Sequence, residues 1–143
     1  MQKEYSLENT TVLYLEIGLS KKTVEEILSK LETLEKDLFF LSNKCGINEV
    51  SIMLETNTTY LSKIINTTKR CNFITYINQM RIEYTLYKIK TDPIFSLFKI
   101  SAISAEVGFN NVESFTKAFH KKTGFYPSEF IKEQGCFKTN ISK

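Results

Sequence analysis

The chain has 143 residues, of which 42% are hydrophobic and 24% charged, enough for one domain with its own core and too apolar for a wholly disordered protein. Five Gly and two Pro are too few for a turn-rich all-β fold, so the class indicated is all-α. The net charge of +3 is uneven: residues 1–47 hold six Lys/Arg against eight Asp/Glu, and residues 48–134 hold eleven against eight, a modest basic bias that suits a nucleic-acid partner.

Cys45, Cys71 and Cys136 form no Cys-x-x-Cys pair, and His120 is the single histidine. This pattern argues against a metal site, a disulfide framework or any metal cofactor. The start, Met1 to Glu8, is polar, and no apolar run approaches the roughly 18 residues of a spanning helix. The expectation is a reduced, cytoplasmic, nucleoid-associated chain with no membrane contact.

Taken in order, residues 1–22 read as a linker or the truncated end of an upstream region, with one short apolar run at Val12 to Ile17. From Thr23, the residues Val24, Ile27, Leu28, Leu31, Leu34, Leu38 and Leu41 recur every three or four positions, which predicts an amphipathic helix over 23–41 with Ser20 as its N-cap. Glu26 with Lys30 and Glu32 with Lys36 are spaced for ion pairs on its outer face. The apolar stripe either packs on the domain behind it or forms a short dimerising coiled coil. Gly46 suits a helix C-terminus.

Short helical patterns then follow one another to about Glu133. The longest, from about Asn72 to Lys90, carries Phe73, Tyr76, Ile77, Met80, Tyr84 and Tyr87 on one face. It would be roughly 27 Å long, and Pro93 ends it. Residues 23–134 thus form the domain, and residues 135–143 are expected to be a flexible tail.

An internal repeat organises this domain. Ile47-x-x-Val50-Ser51-x-x-Leu54 matches Ile100-x-x-Ile103-Ser104-x-x-Val107 at an offset of 53, and Tyr60-Leu61-Ser62-Lys63-Ile64-Ile65 matches Ser114-Phe115-Thr116-Lys117-Ala118-Phe119 at 54. The extra residue falls in the intervening turn, where length is free to vary. Each half therefore reads as helix, short turn, helix. Ser51 and Ser104 supply the small residue at closest approach, and Gly108 suits the second turn. Asn57 in the first unit, and Asn110 or Asn111 in the second, are strong caps for the following helix. Its orphan N–H groups and dipole also favour phosphate.

On each second helix the apolar residues Leu61, Ile64 and Ile65, or Phe115, Ala118 and Phe119, are expected to face inward. The candidate DNA-contacting residues are Asn57, Thr58, Thr59, Tyr60, Ser62, Lys63 and Asn66 in the first unit. In the second they are Asn110, Asn111, Val112, Glu113, Ser114, Lys117 and Lys121. Lys favours guanine O6/N7, and Glu accepts from cytosine N4. Two such helices joined by the long linker helix are spaced to enter successive major-groove segments, roughly 34 Å apart. Arg81, on that linker helix, either contacts a phosphate or braces the two halves.

At this point the chain resembles the C-terminal DNA-binding domain of the AraC/XylS family. The motifs are Ile103-Ser104-Ala105-Glu106-Val107-Gly108-Phe109, Ser114-Phe115-Thr116-Lys117-Ala118-Phe119 and Thr123-Gly124-Phe125-Tyr126-Pro127-Ser128-Glu129-Phe130. They are joined by Tyr60-Leu61-Ser62-Lys63, Phe73, Tyr76-Ile77 and Arg81-Ile82. Departures are Glu55-Thr56 where many members carry Gly, Ser51 and Ser104 where Ala is usual, and Thr85 for a small apolar residue. The resemblance implies two homeodomain-like three-helix units joined by a linker helix, and sequence-specific binding of double-stranded DNA at promoters, usually as an activator. RNA polymerase is a candidate second partner, and dimerisation would use an upstream region or the 23–41 helix. The alternative is a helix-turn-helix module that binds protein without direct DNA contact. An enzyme is disfavoured, because the chain has no Gly-rich phosphate loop, nucleophile elbow or His pair.

Overall fold

The computed structural model describes the backbone of residues 17–141 and the side chains of residues 17–134. The apolar run therefore lies outside the described residues except for Ile17, which is buried. Among the described residues there are seven α-helices and no strand, as the composition and periodicity predict. None is long and apolar enough to cross a membrane. They divide into two units, residues 17–39 with 44–76, and residues 40–43 with 77–141.

In the first unit, α1 (Lys21–Lys36) begins at Ser20, whose Oγ accepts from the Thr23 N–H. Val24, Ile27 and Leu31 are buried, so these stripe residues serve the core of their own unit. The helix is shorter than its periodicity predicts. Asp37 N–H closes on the Thr33 carbonyl and Leu38 N–H on Glu35, with Leu38 left-handed at φ +60° and exposed. Leu41 falls beyond this break and packs with the core of the second unit.

Of the two expected ion pairs, Glu32–Lys36 forms at 3.5 Å. Lys30 instead reaches Glu55 at 2.5 Å, and this hydrogen bond holds the Glu55 carboxyl below the usual carboxylate range. Glu35 turns inward, accepting from the Tyr76 hydroxyl and pairing with Lys69 at 3.2 Å.

The next helix, α2 (Ile47–Met53), starts at Gly46, which is an N-cap rather than the end of the preceding helix. The Glu49 carboxylate sits over it, 2.6 Å from where a Cβ would stand, an acidic group placed at the positive end of the helix. α3 (Thr58–Lys69) buries Leu61, Ile64 and Ile65. The helix α4 (Phe73–Thr91) matches the predicted long helix closely, with Asn72 Oδ1 accepting from the Thr75 N–H.

The first turn of α4, through Tyr76, belongs to the first unit and the remainder to the second. Phe73, Tyr76 and Ile77 are buried as predicted, but Tyr87 is 61% exposed while Ile82, Thr85 and Ile89 are buried. One helix serves two cores with different faces, so no single stripe describes it. Thr85 Oγ1 donates to the Arg81 carbonyl, which satisfies the hydroxyl without an outside partner.

The second unit adds α5 (Ile100–Glu106), α6 (Val112–Thr123) and α7 (Pro127–Ile141). Its core joins Ile82, Ile89, Phe95, Ile103, Val107, Phe109, Phe115 and Phe119. Phe109 and Phe115 meet edge-on at 5.4 Å, as do Phe119 and Phe130 at 5.5 Å, favoured geometries for ring pairs. α7 continues to Ile141, so residues 135–141 carry helical backbone beyond the expected domain end at 134.

Arg81 is buried, and it faces protein rather than solvent. Its Nε donates to the Phe40 carbonyl at 2.7 Å, its Nη2 donates to Ser42 at 2.9 Å, and its guanidinium lies 5.2 Å from the Phe109 ring centre. The bracing seen lies within the second unit, of residues 40–42 against its turn.

Candidate nucleic-acid interface

The two turns superpose in hydrogen bonding. Leu54 N–H donates to Val50, Glu55 to Ile52 and Thr56 to Ser51; at an offset of 53, Val107 donates to Ile103, Gly108 to Ala105 and Phe109 to Ser104. Both third positions form the same six-residue closure. Glu55 (φ +57°) and Gly108 (φ +98°) hold the positive-φ position in each, so the Glu55 turn adopts the geometry that glycine provides in the second unit. Ser51 and Ser104 are both buried, though their hydroxyls differ. Ser51 donates back to Asn48 within α2, whereas Ser104 donates across the turn to the Asn111 carbonyl.

After the turn the offset becomes 54. Asn57 Oδ1 accepts from Tyr60 N–H at 2.9 Å and Asn111 Oδ1 from Ser114 N–H at 2.8 Å. Of the two candidate caps in the second unit, Asn111 is the cap and Asn110 is the inserted turn residue. The correspondence runs on to the helix ends, where Arg70 and Gly124 are both left-handed, and into the third helices, which begin at Phe73 and Pro127.

These caps and cores set the outward faces. On α3, Thr59, Lys63, Asn66 and Arg70 are exposed along one stripe, since three- and four-residue steps stay on one side of a helix. Asn57 is exposed at the cap, while Thr58, Tyr60 and Ser62 are half-buried. Asn66 Nδ2 donates to Ser62 Oγ at 3.5 Å, so these two act as a pair. On α6, Asn110, Asn111, Val112, Glu113, Ser114, Lys117 and Lys121 are all exposed.

Among the described residues, Lys63, Lys117 and Lys121 pair with no carboxylate, whereas Lys122 is held by Glu83 at 3.4 Å. The sequence-predicted residues are therefore gathered on one helix face per unit, with Thr58, Tyr60 and Ser62 partly withdrawn. No metal-binding group of acidic, His or Cys side chains occurs among the described residues.

Two residues on these faces were not in the expected set. Arg70 ends the α3 stripe, and its cationic type was the available signal. His120 is exposed on α6 and stacks on Tyr126, ring centres 4.5 Å apart. Shifting Asn66 by the repeat offset of 54 lands on His120, so the repeat itself carried that signal.

Residues 50–133 match a family profile described as a helix-turn-helix domain. The chain is 34% identical over 84 residues to the uncharacterized transcriptional regulatory protein YesN of Bacillus subtilis, a match covering 58% of the chain and 22% of that protein. It is 31% identical over 87 residues to the Msm operon regulatory protein of Streptococcus mutans, covering 61% of the chain and 30% of that protein. The chain thus spans less than a third of the length of either relative.

Among solved structures, the C-terminal domain of AraT, a response regulator from Geobacillus stearothermophilus, aligns with a TM-score of 0.62 at 21% identity, over 76% of this chain and 84% of that one. The C-terminal domain of the two-component response regulator yesN from Fusobacterium nucleatum aligns with a TM-score of 0.59 at 22% identity, over 70% and 95%. The profile match covers more than half of the chain and agrees with the doubled turn geometry and the all-helical fold: the chain belongs to the AraC/XylS-type helix-turn-helix family of DNA-binding transcription regulators.

Proposed function

We propose that the protein reads promoter DNA with two recognition helices, α3 and α6, each entering the major groove in one of two successive segments, and that it acts as an activator. The observation that carries this reading is the repetition itself. Two identically bonded turns and two asparagine caps present two outward faces, and Lys63 and Lys117 occupy the same place on each. Thr59 and Lys63 form the base-reading set of the first unit, with Asn66 a DNA contact farther along the helix, and Asn110, Val112, Glu113, Ser114 and Lys117 form that of the second.

The apolar and acidic groups at the start of α6 match a thymine methyl and the cytosine N4 amino group. Lys121 and Arg70, farther along their helices, supply phosphate contacts. Thr58, Tyr60 and Ser62 serve chiefly to position the α3 face, because they are partly withdrawn from solvent.

Selection of bound duplexes from a random pool, followed by footprinting, tests this directly. Two half-sites about one helical turn apart per monomer are expected. Lys63→Ala and Lys117→Ala should each cost about 1–3 kcal/mol and relax the preference at one half-site. Affinity should also fall on the order of a thousandfold between 50 and 200 mM salt if about six phosphates are contacted. The exposed Glu113 favours a second reading, a protein-binding module, and salt-insensitive or absent DNA binding would select it.

A further inference from the structure

We propose that His120 and Tyr126 form a backbone clamp at the far end of the second recognition helix, in which the His120 imidazole, held against the Tyr126 ring, donates an N–H to a DNA phosphate oxygen. The clamp rests on the reading that α6 occupies the major groove. The two rings are nearly parallel, with an interplanar angle of 27° and centres 4.5 Å apart. Tyr126 is 50% exposed and His120 is exposed, so the stack stands on the surface and is not part of the core.

Stacking occupies the face of the imidazole and leaves its edge, where both nitrogens lie, open to a partner. An imidazole carries at least one N–H donor in either protonation state. The stack also removes rotamer freedom that His120 would otherwise lose on binding.

Location along the helix selects the phosphate. His120 lies three residues beyond Lys117 and seven beyond Glu113, on the stripe that faces outward. It is eight residues past Val112, about 12 Å farther along the axis. Base edges are reached from the N-terminal residues of a recognition helix, and the major groove is about 12 Å wide. A side chain displaced by that distance stands at the groove wall, where the phosphates run.

The first unit has no equivalent. At the same repeat positions it carries Asn66, whose amide turns to Ser62, and Asn72, whose Oδ1 caps α4. The clamp is thus a feature of the second unit alone.

The test uses the full chain and a duplex selected by it, with binding followed by fluorescence anisotropy and the fold of each variant checked by thermal melting. His120→Ala should lower affinity about tenfold, equally for the selected duplex and for one mutated at a single base pair. His120→Lys, which keeps a donor, should restore most of it. Tyr126→Ala should cost about threefold through the freed imidazole, and Tyr126→Phe should bind as the parent does. In the His120→Ala background, Tyr126→Ala should have no further effect.

Unchanged binding by His120→Ala, alongside weakened binding by Lys117→Ala, overturns the clamp and leaves the DNA reading standing. A loss confined to one base pair makes His120 a base reader and also overturns it, as does a full Tyr126→Ala effect without His120. Failure of the parent protein to bind any selected duplex overturns both readings.

Discussion

The two helix-turn-helix units share their turn hydrogen bonds and caps, yet they reach the same backbone by different means. The second places Gly108 and Gly124 at its two positive-φ positions, and the first places Glu55 and Arg70 there, each at φ +57°. A left-handed non-glycine residue costs roughly 1–2 kcal/mol, so the first unit carries strain that the second avoids. Its Glu55 is also tied to Lys30 on α1. What excludes a side chain at Gly108 is packing as much as φ: a Cβ there would stand 2.8 Å from the carbonyl oxygens of Phe40 and Leu41 and 2.9 Å from Arg81 Nε. The Glu55 side chain meets no such wall and is exposed. Residue type at a turn is thus set by what lies behind it, even when the local hydrogen bonds are identical.

The strongest way to break this comparison is Gly108→Ala. Positive φ and contact with backbone oxygens together should destabilise the second unit by at least about 3 kcal/mol, read by denaturant unfolding. Gly124→Ala, where φ is +79° and no atom lies within 4 Å of the new Cβ, should cost only about 1 kcal/mol. Equal costs at the two sites would refute the role assigned to the Phe40 and Leu41 carbonyls.

The caps should behave alike. Asn57→Ala and Asn111→Ala each remove one side-chain bond to an N3 amide and should each cost about 1 kcal/mol of stability. A large difference would show that the units are less equivalent than their turns.

Glu55→Gly should run the other way, slightly raising the melting temperature of the first unit. Relief of left-handed strain there exceeds the entropy of the added glycine and the loss of an exposed ion pair. Destabilisation would place the Lys30 contact above the backbone term.

The smallest effect concerns Asp92, which the Lys88 hydrogen bond, with help from the Phe95 and Ile94 amides, holds below its usual range. Its folded-state value is depressed, so its contribution is present above about pH 4 and is lost as pH falls through the folded value. The same bond raises Lys88, whose contribution is present below its ordinary range near pH 10 and is lost above it. Asp92→Asn should therefore flatten the acid limb of a stability–pH curve by lowering its neutral plateau, with stability at the acid end unchanged.

The sequence by itself determined the features set within a few residues of each other. Alternation of apolar residues at three and four positions located the helices. Asn before a helix marked its start, Pro93 marked an end, and two offsets one residue apart exposed the doubled unit and the turn holding the insertion. All of these rest on local hydrogen bonds and the helical period, which act wherever the segment lies.

Only the tertiary structure decided that α1 stops at Asp37, that residues 40–43 join the second unit, that Arg81 turns inward to their carbonyls, and that His120 stands on Tyr126. Each of these depends on partners far along the chain or on space left by packing, and neither is written in residue type. The stripe that pointed to Leu41 was sound as periodicity, but burial of Phe40 and Leu41 in the other core outweighed one more turn of helix.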